Sequence, residues 1–394
     1  MRLRATTLGY LAASAIAAGE GGLGVMLPPY LTVLGYPVPV IGAFVAFYAL
    51  AGLLSRLPGG RFYRQGWIRP LIGLSLLLQC CVNLTYPWVS DWPTLALLRL
   101  LGGFSYGLCT TINLAQFIDG LPPRARRDRP MALYTAALSV GFALGNITSG
   151  VLAGAFGYTA GFTVVAMFPL AVAIATLFAE EPTTLRVARS GTVGPRAVLQ
   201  AMGEPLLFVV LLESFLLNFL FGLHYALYPL YLLAIGATLA EMGFIRGIFS
   251  GTQVASRIST GWLISRLGHR RLAVVGMVGQ VIAIALLPFT SNLLLLTALS
   301  VAYGLWRGIS LVANTLGMAD SSDRAVVSRG ASSGLFNAAS DVGILLGPLI
   351  AGATAGVIGI GSALVVMPLA ALVVHAAGLA LNARRPQPAA RVAD

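Results

Sequence analysis

The sequence contains no lysine and few charges of either sign. Its 25 basic residues are all arginine and its acidic residues number 13, so charged residues fill only 10% of the 394 positions. Hydrophobic residues fill 57%, more than one soluble core of this length could bury. The scarcity of charge therefore excludes a soluble globular protein and indicates an all-α membrane protein with many spans.

Cysteines and catalytic motifs are also scarce. The three cysteines, Cys80, Cys81 and Cys109, lie inside apolar runs, which is typical of packing residues rather than of disulfides or metal ligands. The sequence has no His-Glu-x-x-His, no Cys-x-x-Cys and no phosphate-binding loop. We therefore expect neither an enzyme nor a bound cofactor or metal, and a source of energy in an ion gradient rather than in ATP.

Apolar runs of roughly membrane-spanning length follow one another along the chain. Twelve runs predict six spans in each half, separated by a polar segment. The expected organisation is an N-terminal six-helix bundle over 1–179, a cytoplasmic linker over 180–204 and a C-terminal six-helix bundle over 205–394. The runs are 8–34, 39–59, 70–86, 93–118, 131–156, 160–179, 205–234, 240–264, 272–288, 293–318, 332–356 and 361–381.

Most arginines fall in alternate loops, and the intervening loops carry no basic residue. By the positive-inside rule, this pattern places both termini in the cytoplasm and the chain in the plasma (inner) membrane. Nucleic acid is not an expected partner, because a membrane chain offers no basic soluble face to it. The expected partners are the lipid bilayer, a small-molecule substrate and protons.

The second half of the chain repeats the first at an offset of 201 or 202 residues. A duplicated six-helix unit is the layout of many secondary transporters. The matched positions include Tyr30 and Tyr231, Gly35 and Gly236, Arg56 and Arg257, Asn113 and Asn314, Asp119 and Asp320, Gly145 and Gly347, and Gly150 and Gly352.

The loops after the second and eighth runs carry related motifs. They read Gly59-Gly60-Arg61-Phe62-Tyr63-Arg64-Gln65-Gly66 and Gly261-Trp262-Leu263-Ile264-Ser265-Arg266-Leu267-Gly268. With Arg99-x-x-Gly102-Gly103 and Gly343-x-x-x-Gly347-Pro348, they resemble the signature motifs of the major facilitator superfamily. The resemblance covers essentially the whole chain. It implies two six-helix bundles related by pseudo-two-fold symmetry, a central cavity that opens alternately to each side, and a monomer.

The signature acid of this family is replaced by Tyr63 in one half and by Ser265 in the other. The resemblance assigns that acid to the cytoplasmic gate, so we expect other gate contacts here. The candidates are Arg64, Asp119, Arg266 and Asp320, together with Gly145 and Gly347 on glycine-lined helix faces. These glycines permit either sliding of helices or ordinary tight packing.

Charged residues inside apolar runs are the candidates for function, because each costs about 2.5–3.5 kcal/mol to insert at the bilayer centre. The proton-coupling candidates are Glu20, Asp341, Glu213 and Arg99. We expect Asp341 to pair with Arg307, either reversibly or as a permanent structural pair. Arg56 and Arg257 are read as structural, and Arg246 as a surface partner of Glu241.

Aromatic residues supply the candidate lining of the cavity, although they also serve as plain helix packing. The candidates are Tyr30, Tyr48, Tyr106, Tyr225, Tyr228 and Trp306, with His224 and Arg307. The interpretation that follows is secondary transport by alternating access, as proton-coupled efflux. The alternatives are proton-coupled or facilitated uptake of a metabolite, and a non-transporting sensor or scaffold.

Overall fold

The computed structural model describes residues 3–121, 128–181, 204–324 and 329–383, and these form twelve long α-helices. Short 3-10 turns follow the third and ninth helices at Tyr86–Trp88 and Leu287–Phe289. The helices are α1 Ala5–Val33, α2 Val38–Phe62, α3 Ile68–Thr85, α4 Trp92–Asp119, α5 Asp128–Phe156, α6 Tyr158–Thr176, α7 Pro205–Ala234, α8 Leu239–Leu267, α9 His269–Ala285, α10 Leu293–Arg324, α11 Arg329–Ile358 and α12 Ile360–Ala383.

Eleven of the twelve described helices are long and apolar enough to cross a membrane. The remaining helix, α8, has 29 residues and so has the length. Its apolar run is interrupted by Arg246, Arg257 and Arg266. All twelve expected spans are therefore long enough to cross a membrane, but α8 is less apolar than expected.

The duplication is visible in the backbone of the two bundles, α1–α6 and α7–α12. Every positive φ angle in the described residues belongs to a glycine, at a helix junction where residues with a Cβ would be strained. The six glycines form three repeat pairs at offsets of 201 or 202: Gly35 and Gly236, Gly66 and Gly268, and Gly157 and Gly359. Each bundle therefore turns its chain at the same points.

The beginning of the expected linker belongs to the first bundle. The amide of Leu3 donates to the carbonyl of Phe178, and the amide of Glu180 donates back to Leu3. The Glu181 carboxylate accepts from the amides of Gly66, at 2.6 Å, and Arg69, at 3.1 Å, next to the start of α3. Residues 182–203, which include the rest of the expected linker, lie outside the described residues, so the domain boundary stays a prediction.

The loops define two faces of the molecule. One, called here the arginine-rich face, carries Arg64, Arg69, Arg266 and Arg270. The opposite, arginine-poor face carries the turns at Gly35, Gly157, Gly236 and Gly359. Because successive helices run in opposite directions, each helix has one end at each face.

The two bundles meet backbone to backbone near the arginine-poor face. A Cβ added to Gly42 of α2 would collide with Pro348 and Gly352 of α11. A Cβ added to Gly243 of α8 would collide with Asn146 and Gly150 of α5. Gly42 matches Gly243 in the repeat, and Gly150 matches Gly352. The two crossings are therefore the same contact, formed once by α2 with α11 and once by α8 with α5. These two crossings close the arginine-poor side.

Gly145 and Gly347, expected at the gate, lie inside the bundles instead. A Cβ on Gly145 would strike the carbonyl of Ala18, where α5 crosses α1. A Cβ on Gly347 would strike the carbonyl of Phe219, where α11 crosses α7. They hold helices within one bundle, whereas the contacts between bundles use Gly42, Gly150, Gly243 and Gly352. Both glycines are therefore tightly packed within a bundle, and their role in the gate stays a prediction.

Replacing Gly243 by leucine should open the arginine-poor side, because the side chain has no room against α5. Overpacking of this kind costs about 1–3 kcal/mol, enough to shift the balance between two conformations of similar energy. Spin labels at Val33 of α1 and Val357 of α11, both exposed, should move apart in Gly243→Leu.

The matched control is Gly251→Leu on the same helix, where an added Cβ meets nothing within 4 Å. This variant should leave the distance between the labels unchanged. Equal shifts in both variants, or none in Gly243→Leu, would contradict the assignment of closure to the glycine crossings.

Candidate functional site

A cavity of about 680 Å³, including space open to solvent, lies between the two bundles. It sits on the arginine-rich side of the glycine crossings, where the half-exposed Arg56 marks its mouth. Its walls come from α1, α2, α4 and α5 on one side and from α7 and α11 on the other. The charged and aromatic residues that line it are Glu20, Tyr48, Arg56, Arg99, Tyr106, Phe142, Phe221, Tyr225 and Asp341.

Glu20 lies in the cavity wall with only 4% of its surface exposed. Its helix is lined with small residues at this level, and Gly21 allows α5 to approach at Phe142. An Arg99 guanidinium nitrogen, Nη2, lies 3.5 Å from Glu20 Oε1. Arg99 itself is held by a bond from Nε to the carbonyl of Phe44 and by the ring of Tyr48, 4.4 Å from its guanidinium carbon. Glu20 and Arg99 thus form a buried ion pair within the first bundle.

The same carboxylate is bonded from the second bundle. The Tyr225 hydroxyl of α7 donates to Glu20 Oε1 at 2.6 Å and lies 3.0 Å from the Glu20 carbonyl oxygen. The guanidinium carbon of Arg246, on α8, lies 4.7 Å from the centre of the Tyr225 ring. The second carboxylate oxygen, Oε2, is buried and has no hydrogen-bond partner in the part of the chain that the structure describes. Glu20, an acid that the second repeat lacks at the equivalent position, therefore links the two bundles.

A second ion pair joins the bundles nearer the arginine-rich face. Arg56 of α2 pairs with Asp341 of α11 through Nη1 and Oδ1. The expected pairing of Asp341 with Arg307 is wrong. Arg307 instead donates to the carbonyl of Leu217, at 2.7 Å, and to Asn218 Oδ1, at 3.1 Å. Arg56 was read as structural because it has a repeat mate, and the structure places it in the cavity wall.

Tyr48, Tyr106 and Tyr225 line the cavity as expected, and the first two rings lie 5.7 Å apart. The other expected lining residues lie elsewhere. Tyr30 packs on Tyr158 and Phe162 of α6 inside the first bundle. The remaining ones lie in the second bundle. Tyr228 is hydrogen-bonded to Ser300, and the ring of His224 packs among those of Tyr228, Phe249 and Tyr303. Trp306 fills the space over Gly279, and Arg307 lies behind Phe221.

Glu213 also lies outside the central cavity. Its Oε1 is 3.2 Å from His375 Nε2 of α12, and both side chains are buried. His375 is thus the partner of this acid. The pair joins α7 to α12 within the second bundle, which suits a structural role better than a place on the substrate path.

Each acidic gate candidate has a neighbour among the described residues. The Tyr63 hydroxyl donates to Asp119 Oδ2 at 2.7 Å. Burial and the neighbouring Asp119 raise the pKa of Tyr63, so this tyrosine keeps its proton. His269 Nε2 lies 3.6 Å from Asp320. Arg266 lies over Trp262, with its guanidinium carbon 4.1 Å from the ring centre, and Arg64 is exposed. Tyr63 thus supplies a donor to Asp119 at the position where the family has an acid.

Three residues that line the cavity or lie next to it were not expected from the sequence. Phe142 and Phe221 carry no signal that separates them from other apolar residues. Arg246 was assigned to a surface pair with Glu241, but Arg246 is buried. Glu241 caps the start of α8 through Thr238, with Glu241 Oε2 2.7 Å from the Thr238 amide. The capping sequence Thr-x-x-Glu was a usable signal, because it already assigns the Glu241 carboxylate.

Comparison with known proteins gives a consistent picture of the fold. The sequence profile of the Major Facilitator Superfamily matches residues 9–233 and 210–393. An uncharacterized MFS-type transporter of Methanocaldococcus jannaschii is 21% identical over 358 residues, which cover 87% of this chain and 89% of the relative.

Solved structures of similar fold share little sequence with the chain. The nucleoside transporter NupG superposes with a TM-score of 0.79 at 12% identity, over 97% of this chain and 100% of its own. A bacterial homologue of the human lysosomal transporter Spinster, in an inward-facing and unoccupied conformation, superposes with a TM-score of 0.79 at 16% identity, over 98% of both chains. These likenesses show the fold.

The Arg56–Asp341 pair should be asymmetric in its effect on stability. Asp341 is the more buried partner, with 10% of its side chain exposed against 38% for Arg56. Arg56→Gln leaves a buried carboxylate unpaired, at a cost of about 1–3 kcal/mol, whereas Asp341→Asn leaves an arginine that reaches water. The melting temperature of the purified protein should therefore fall further in Arg56→Gln. An equal fall, or the reverse order, would contradict this asymmetry.

Proposed function

The chain belongs to the major facilitator superfamily, and we propose that it is a proton-coupled carrier in which Glu20 binds the coupled proton. Its family and fold are those of secondary transporters that work by alternating access. In such a cycle the two bundles rock about a central site. The cavity between the bundles is the place where a small molecule would bind.

The observation that carries the proposal is the position of Glu20 between the bundles. Its charge is neutralised by Arg99 of its own bundle, while its hydrogen bond to Tyr225 reaches the other. A proton on Glu20 removes the charge that strengthens both contacts. Protonation therefore changes the relative stability of arrangements that keep or break the Tyr225 contact, which is the requirement for coupling. Asp341, held by Arg56 across the same interface, is a second acid that fits this role.

The proposal includes an orientation in the membrane. We place the chain in the plasma (inner) membrane as a monomer, with the arginine-rich face and both termini in the cytoplasm, by the positive-inside rule. With that orientation, closure at the arginine-poor glycine crossings makes this an inward-facing conformation.

Export driven by inward proton flow is the direction favoured by the sequence. In an exporter of this kind, proton and cargo exclude each other: protonated Glu20 releases the cargo outside, and deprotonated Glu20 accepts it inside. The family's antiporter-associated motif is only partly matched, as Gly141-x-x-x-Gly145 with Asn146 in place of proline, and this replacement weakens its support for export.

Proton-coupled uptake is the second candidate, favoured by the state of the two cavity acids. Each carboxylate is already paired with an arginine, Glu20 with Arg99 and Asp341 with Arg56. A cationic cargo would have to displace an arginine to reach either acid. A cargo that binds the arginines instead would gain from protonation of the acids and would travel with the proton.

Glu20→Gln should abolish coupled transport while the protein still reaches the membrane. The amide keeps the shape of the side chain and removes the charge and the proton site. The test uses a bacterial host without its own pumps, a broad panel of toxic compounds, and equal membrane expression of each variant. Wild type should change the intracellular level of at least one compound, and Glu20→Gln should return it to the level of the host without the protein.

Glu213→Gln is the matched control, since it neutralises a buried carboxylate in a spanning helix outside the cavity. It should retain transport. The sign of the wild-type effect separates export, which lowers accumulation, from uptake, which raises it. Wild-type transport that persists in Glu20→Gln, or that is lost equally in Glu213→Gln, would refute the assignment of Glu20.

A further inference from the structure

Positive charge exceeds negative charge around the central cavity. Four arginines and two carboxylates lie in its wall or directly behind it, and the two carboxylates are paired with Arg56 and Arg99. Arg246 and Arg307 remain. Within the described ranges, no carboxylate oxygen lies within 4.0 Å of either of their guanidinium groups.

Arg246 is buried with 5% of its surface exposed, on α8 of the second bundle. Its Nε and Nη1 atoms have no hydrogen-bond partner among the described residues. Its guanidinium lies against the ring of Tyr225, and Tyr225 lines the cavity. A single aromatic ring therefore separates an unpaired buried cation from the substrate path. A buried charge of this kind is costly unless an acceptor reaches it.

Arg307 occupies the equivalent place on α10. It is 5% exposed, and its guanidinium carbon lies 4.1 Å from the centre of the ring of Phe221, another cavity residue. Hydrogen bonds to Leu217 and Asn218 hold it in position, and within the described ranges its Nε atom has no hydrogen-bond partner. The two arginines thus stand behind neighbouring aromatic side chains of α7.

Further buried polar groups lie in the same layer of the second bundle. His224 is on α7 beside Tyr225, is 2% exposed, and has no partner for Nε2. Its ring lies 4.6 Å from that of Tyr303, whose buried hydroxyl lies next to Arg307. Tyr303 is one turn from Arg307 on α10. Helices α7, α8 and α10 therefore place two arginines, a histidine and a tyrosine hydroxyl in one region of the bundle.

Resting on the proposed transport through the central cavity in its second form, proton-coupled uptake, we propose that the cargo is an anion and that Arg246 and Arg307 bind its carboxylate, phosphate or sulfate group. Guanidinium groups suit oxyanions because their N–H donors match two oxygens at once. The aromatic wall formed by Tyr48, Tyr106 and Phe221 holds the apolar part of the molecule.

Tyr225 controls access to Arg246. Its hydroxyl is bonded to Glu20 while that acid is charged. Once Glu20 takes up a proton, the bond weakens, the ring is free to turn from the guanidinium, and Arg99 loses its anionic partner. Proton and anion then favour each other's binding, as linkage requires of cotransport. The charged and titratable groups around Glu20 are Tyr48, Tyr86, Arg99, Tyr106, Tyr225 and Arg246.

The experiment loads proteoliposomes with a water-soluble extract of small cellular metabolites under an imposed pH gradient. Mass spectrometry identifies the compounds that wild type moves and that protein-free liposomes do not. The proposal expects compounds that carry a carboxylate, phosphate or sulfate group. Movement of neutral or cationic compounds alone, dependent on Glu20, would overturn the anion assignment and leave the proposed function standing.

Arg246→Gln is the decisive variant, because its side chain donates no hydrogen bond within the described residues and its loss leaves no acceptor unsatisfied. The KM for the identified compound should rise by about tenfold or more, the expected loss of one charge-assisted contact. Arg246→Lys, which keeps the charge, should recover part of the affinity.

Arg270→Gln makes the same change at an exposed position on the arginine-rich face and should leave KM unchanged. An unaltered KM in Arg246→Gln, or an equal rise in Arg270→Gln, would refute the role of Arg246. If wild type and Glu20→Gln move nothing from the extract, the proposed function fails and the anion proposal fails with it.

Discussion

The structure depends on how one buried negative charge is neutralised. A carboxylate at the centre of a membrane domain costs several kcal/mol unless it is paired, and Glu20 has two partners on one oxygen. Arg99 compensates it from the same bundle, and Tyr225 bonds to it from the other. Because the second contact crosses the interface, the charge state of one side chain and the arrangement of two bundles depend on each other.

The two kinds of contact between the bundles have different consequences. The glycine crossings at Gly42 with Gly352 and at Gly150 with Gly243 bring backbones together with no side chain between them. Because no side chains interlock across them, such surfaces can separate and pack again in the same register. This property suits rigid-body rocking of the two bundles. The pairs made by Glu20 and Asp341 with the opposite bundle depend on charge. Shape thus closes one side, whereas the strength of the other contacts depends on charge.

Much of the fold follows from the sequence, because hydrophobic run length and the 201-residue repeat both act locally. Glu20 and Arg99 were also recognisable, since a charge inside an apolar run stands out. The pairings were not, because a partner depends on which helices face each other: Asp341 bonds to Arg56 across the interface rather than to Arg307. The repeat was also a poor guide at Arg56. Its match with Arg257 favours a structural role, but Arg56 lines the cavity.

The central claim is that protonation of Glu20 loosens the contact between the bundles. The most direct measurement is the distance between spin labels at Val33 and Val357, on the arginine-poor ends of α1 and α11, across a range of pH. The account predicts that wild type shifts to longer distances on acidification. Glu20→Gln should show the longer distance at every pH. A distance that does not respond to pH in wild type, or that responds equally in Glu20→Gln, would contradict the account.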